Sequence, residues 1–93
     1  MKLDFASKNG VIAAAAILEG EGHKIRHIFH PGELVLFPTI LFEGIEEQAM
    51  EVFKFAINQG WPVMYLSKMW GKSNEGEIEN PHWELNFAKR KSF

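Results

Sequence analysis

Lys24-Ile25-Arg26-His27-Ile28-Phe29-His30-Pro31-Gly32-Glu33-Leu34-Val35-Leu36-Phe37 is the stretch on which the architecture turns. Its first six residues read as a strand with charge on at least one side. That is the composition of a sheet edge, where charge discourages further pairing. Its last four are apolar without alternation, the pattern of a central strand. His30–Glu33 between them is long enough only to reverse the chain, and Pro31-Gly32 suits the central positions of a type II turn. Parallel neighbours need a crossover of about a dozen residues. The two strands are therefore expected to be antiparallel.

Outward from this join the same order of elements occurs on both sides. Leu3 and Phe5 alternate with Lys2 and Asp4 over Lys2–Ala6, as in a half-buried strand. Ser7 or Asn9 can cap a helix over about Gly10–Glu19, which stops at Gly20. Its run of alanines, Ala13–Ala16, leaves it thin enough to pack closely on a sheet. Beyond Leu34–Phe37, Pro38 is expected to end the strand, and Pro38–Gly44 reads as an apolar connection. The second helix carries Ile45, Ala49, Val52, Phe53, Ala56 and Ile57 on one face, with Glu46, Glu47, Glu51, Lys54 and Asn58 off it. Gly60 stops it, and Trp61-Pro62 forces an extended exit. Pro62–Leu66 reads as a fourth strand. A polar, Gly- and Asn-rich stretch is expected to be a mobile loop at about 71–82. Trp83, Leu85 and Phe87 then alternate with Glu84 and Asn86 as a fifth strand. A basic tail, 89–93, begins with Lys89-Arg90-Lys91.

This order predicts one α+β domain over residues 1–93: a ferredoxin-like βαββαβ sandwich with an additional C-terminal strand. The alternative, a small Rossmann-like α/β sheet, is disfavoured by the short join. Both helices would cover one face. A central strand apolar on both sides would then need cover on the second face, and a homodimer is the expected cover.

Composition narrows the function classes. The chain has no cysteine, which removes disulfides, thiolate metal sites and Cys nucleophiles. A cytoplasmic location fits that usage. The apolar run Val11–Leu18 is too short to span a membrane, and no basic region with a cleavage site marks a signal peptide. The formal charge of −2 disfavours a wholesale nucleic-acid binder, which is usually basic.

No catalytic signature stands out. Asn9-Gly10 at the first strand–helix join is an anion-site candidate with Lys8 beside it, although neither GxGxxG nor GxxxxGK[ST] is present. Asp4–Leu18 followed by Gly22–Arg26 faintly resembles the opening of DHH-type phosphoesterases. The sole aspartate here is Asp4, and no Asp-His-His follows, so that family's metal ligands are missing. The βαββαβ order is similar to that of acylphosphatases, whose Arg-containing anion loop has no counterpart at Ala6–Gly10.

His27 and His30 are polar candidates for a ligand site, as is Tyr65, the only tyrosine. On a strand, His23 and His27 would stand about 13 Å apart at ~3.3 Å per residue, too far to share a metal; no metal or cofactor is expected. Trp83 and Phe87 with Lys89-Arg90-Lys91 allow a single-stranded nucleic-acid reading, which the acidic balance weakens. Trp is a frequent binding hot spot, so Trp70, Trp83 and Phe87 are the partner-binding candidates. The leading expectation is a non-enzymatic binding or regulatory module acting through protein contacts, dimeric. The alternative is a small-ligand-binding protein or enzyme with a pocket between the sheet face and the 38–44 connection, using His27, His30 and Tyr65.

Overall fold

The computed structural model describes residues 2–30, 37–69 and 81–93. Ser7, in extended conformation, accepts from the Gly10 N–H and so caps α1 (Lys8–Gly20). Side-chain capping of this kind satisfies one of the amides that a helix start leaves without a partner. Gly10 is the tightest point of the fold. A Cβ there would overlap the carbonyl of Asp4, so helix and N-terminal segment meet backbone to backbone. Val11, Ala14, Ala15 and Leu18 form the buried stripe of α1, as the thin alanine helix suggested.

After α1 come β1 (Lys24–Phe29) and β2 (Thr39–Glu43), then α2 (Glu46–Asn58), β3 (Val63–Met69) and β4 (His82–Phe87). The sheet has the order β1-β2-β4-β3, and every pairing is antiparallel. The antiparallel join of β1 to its successor is present. The ferredoxin-like order is not, and neither is the parallel sheet of the Rossmann-like alternative.

Three departures from the sequence reading account for this. The strand that pairs with β1 is Thr39–Glu43; of the strand expected at Leu34–Phe37, residues 34–36 lie outside the described residues and Phe37 sits in a bend. Pro38 thus precedes a strand rather than closing one. Lacking an N–H, proline can stand at either end of a ladder, and the alternation of Thr39, Leu41 and Glu43 with the fully buried Ile40 and Phe42 decides which. Residues 38–44 are accordingly no connection: Thr39–Glu43 is a central strand.

Next, Lys2–Ala6 does not join the sheet. Leu3 and Phe5 are buried as their alternation implied, but against the C-terminal tail. The Phe5 N–H donates to Arg90 O at 3.0 Å and the Ser92 N–H to Leu3 O at 2.7 Å, and the Ser92 hydroxyl accepts from the Leu3 N–H at 2.8 Å. Finally, β4 occupies the central position that a first strand would have held. Its first residue, His82, belongs to the strand and not to the loop expected over 71–82, most of which lies outside the described residues.

The core gathers the inward side chains of β2 and β4 (Ile40, Phe42, Trp83, Leu85, Phe87) with the buried stripes of both helices. Trp61 closes its end, with Phe5, Phe55 and Phe87 rings at centroid distances of 5.9, 5.8 and 6.3 Å. On α2 the buried stripe is narrower than the apolar face read from the helical spacing. Ala49, Val52 and Ala56 are buried, whereas Ile45 and Ile57 are half exposed. Gly60 ends this segment at φ +76°, a conformation for which glycine has no steric penalty. No helix among the described residues is long and apolar enough to cross a membrane.

Candidate functional site

The sheet face away from the helices is built in rows. Cross-strand partners align Phe29, Thr39, Asn86 and Tyr65 in one row and His27, Leu41, Glu84 and Ser67 in the next. Lys24, Glu43, His82 and Met69 form the last. This face mixes polar and apolar side chains, because β2 turns Thr39, Leu41 and Glu43 outward beside Phe29, Tyr65 and Met69. The Thr39 hydroxyl donates to Asn86 Oδ1 at 2.8 Å. The Glu43 carboxylate, whose side chain is only 10% exposed, stands 3.5 Å from Lys24 Nζ and 3.5 Å from Arg26 Nη1. His82 Nε2 lies 4.0 Å away on the other side. Among the described residues, no buried side-chain polar atom lacks a hydrogen-bond partner, and no three His, Asp or Glu side chains gather as a metal ion would require.

Lys8, His27 and His30 are brought together. They line one open groove between α1 and the free side of β1, with Arg26 and the apolar Ile12, Ile25 and Ile28. Their neighbours in the sequence-derived anion site have other duties. Asn9 is exposed on the first turn, and Gly10 is buried against Asp4 with its N–H taken by Ser7. The His27 ring packs edge-on against Phe29 at 4.5 Å. Tyr65 does not join these residues. It lies on β3 at the opposite edge of the sheet, about 14 Å away at ~4.8 Å per strand, with its ring edge-on to Phe37 at 6.4 Å.

The partner-binding candidates fare differently. Trp70 lies outside the described residues. Trp83 is 7% exposed and Phe87 fully buried, so their rings are spent on the core. The Trp83 Nε1–H donates to Gly44 O at 2.9 Å, fastening β4 to the entrance of α2. Lys68 Nζ lies 5.8 Å from its ring centroid, within cation–π range.

Exposed apolar surface sits instead where α2 meets β3. Met50 and Phe53 of α2 and Met64, Tyr65 and Leu66 of β3 line a shallow apolar groove, with the edge of Trp83. Met64 is 47% exposed, Tyr65 45% and Met69 41%. β3 ends the sheet, and among the described residues no strand pairs with its outer side. Met64 and Met69 stood out in the sequence only as part of a Trp/Met-rich stretch. Met50 and Arg26 gave no separate signal, since one is a methionine just off a helix stripe and the other a routine edge charge.

Comparison with known proteins places this geometry beside no described relative: no family model, no curated protein and no solved structure matches the chain.

Proposed function

We propose that this chain is a non-enzymatic binding module that acts through protein contacts, and that it pairs with a second copy of itself edge to edge along β3. The observation that carries this reading is the bare β3 edge. A free edge offers a row of backbone donors and acceptors to any extended chain, and proteins ordinarily blunt it with charge, proline or a covering segment. Over its seven residues β3 has one charge, Lys68, and its one register shift, between Val63 and Tyr65, falls at its first residues; Met64 and Tyr65 are open to water at the Met50–Phe53 groove, and Met69 is exposed at the far end of the strand. Adaptable methionine side chains suit a contact surface.

A two-fold meeting of β3 with its copy is self-complementary, as the commonest homodimers require. Centred on Leu66, it places Lys68 opposite Met64 of the other copy and not opposite another lysine. The sheet would become continuous through both protomers.

Sedimentation velocity on the full chain is the direct test. A dimer that Met64→Glu converts to a folded monomer, judged by unchanged circular dichroism, is the expected result. A native chain that stays monomeric at high micromolar concentration, or a dimer indifferent to Met64→Glu, would remove β3 from the interface.

A further inference from the structure

The other edge of the sheet has the opposite chemistry. β1 is also unpaired on its outer side among the described residues, but the groove beside it is cationic as well as apolar. Ile12, Ile25 and Ile28 supply an apolar floor, and Lys8 and Arg26 stand along it. Lys24 continues the line at the start of the strand, where the groove passes on to His23 and Gly22. Glu19 and the half-buried Glu43 offset part of this charge.

We infer that the α1–β1 groove binds an acidic, extended peptide segment of a partner protein, which adds as a strand to the free edge of β1. Strand addition draws affinity from main-chain hydrogen bonds and specificity from alternate side chains. Ile25 and Ile28 lie on the helix side of β1 and Lys24 and His27 on the other, with Arg26 at the register shift between them, so the matching segment carries apolar residues on one side and acidic ones on the other. Charge selects this occupant over a second copy, because both charges of β1, Lys24 and Arg26, are positive and a second β1 brings no acidic residue to meet them. The isoleucine floor and the free backbone edge select it over nucleic acid, as does the net charge of −2. Nothing in the β3 pairing is needed for it, and the two can fail independently.

The immobilised full chain can be used to select from a random peptide display library at low salt, with a single-stranded RNA pool run in parallel. Enriched peptides are expected to alternate acidic and apolar residues. Their capture should fall at least tenfold in a K8E/R26E variant and in high salt, and remain unchanged in Lys54→Glu, an exposed charge on α2. Amide resonances of Lys24–Phe29 should move on adding a synthetic selected peptide, which tests the edge directly even if the double variant is poorly folded. Failure to enrich, enrichment of peptides without acidic residues, capture that survives K8E/R26E in a folded variant, shifts confined to β3, or preferential capture of RNA would each overturn the assignment.

Discussion

The two edges of this sheet solve the same physical problem in different ways. β1 is backed by α1, whose alanine-rich stripe and Gly10 let it lie close to its neighbours. Its outer residues include Lys24 and Arg26, both held toward the sheet by Glu43. β3 is backed by α2, whose buried stripe of Ala49, Val52 and Ala56 leaves Met50 and Ile57 half in water. Its single charge, Lys68, leans over Trp83. A charged edge resists casual pairing and chooses its partners by electrostatics, whereas a neutral, methionine-rich edge offers backbone and apolar area at once. The difference teaches that the apolar surface left over in a small domain need not lie on a sheet face. Among the described residues, Met50, Met64, Tyr65 and Met69 place much of it along β3 and the neighbouring side of α2.

The largest expected effect tests whether the α1 flank is the rigid one. Gly10→Ala forces a methyl into the Asp4 backbone, with no flexible side chain to yield. Overpacking of this severity should cost about 3 kcal/mol or more, read as a fall in the urea midpoint. Retention of wild-type stability would mean that the flank is as yielding as the other.

A smaller effect is expected on the β3 side, and in association rather than folding. Met64→Glu should raise the dimer dissociation constant about 30-fold, or ~2 kcal/mol, with monomer stability nearly unchanged. Equal losses of folding and association would blur the distinction between the flanks.

Trp83→Phe keeps the aromatic volume but leaves Gly44 O without its donor. A loss of about 1–2 kcal/mol is expected in thermal or chemical denaturation. It bears on how firmly β4 holds the entrance of α2.

The smallest change is Glu43→Gln, which removes the anion between Lys24, Arg26 and His82. The two cationic side chains are largely solvated, so about 0.5 kcal/mol is expected. The difference from wild type should shrink as salt screens the pairs. A larger loss that salt leaves untouched would identify Glu43 as a packing residue rather than an electrostatic one.

Much of the local structure was legible. The cap at Ser7, the stop near Gly20, the inward set Trp83, Leu85 and Phe87, and the centre of the α2 stripe all follow from short-range periodicity and capping chemistry. Misreadings arose where two segments could fill one role. Thr39–Glu43 alternates, so it looked less central than an unbroken apolar run, and a proline at 38 fits either end of a strand. Lys2–Ala6 and His82–Phe87 both alternate, and nothing local ranks them. The functional candidates divide similarly. Lys8, His27 and His30 meet because helix and strand bring them to one groove, while Tyr65 was assigned to them without knowledge that β2 and β4 lie between.

By itself, the sequence determined where helices start and stop, which residues are buried on each element, and that the strands after Gly22 and before α2 run antiparallel. These depend on neighbours a few residues away. The tertiary structure alone decided that β4 takes the centre of the sheet, that Leu3 and Phe5 pack against the tail, and that, among the described residues, no strand covers either edge, one carrying Lys24 and Arg26 and the other only Lys68. Strand pairing is a competition among distant segments, settled by which arrangement buries more apolar surface and satisfies more backbone groups, and neither total can be read from one segment at a time.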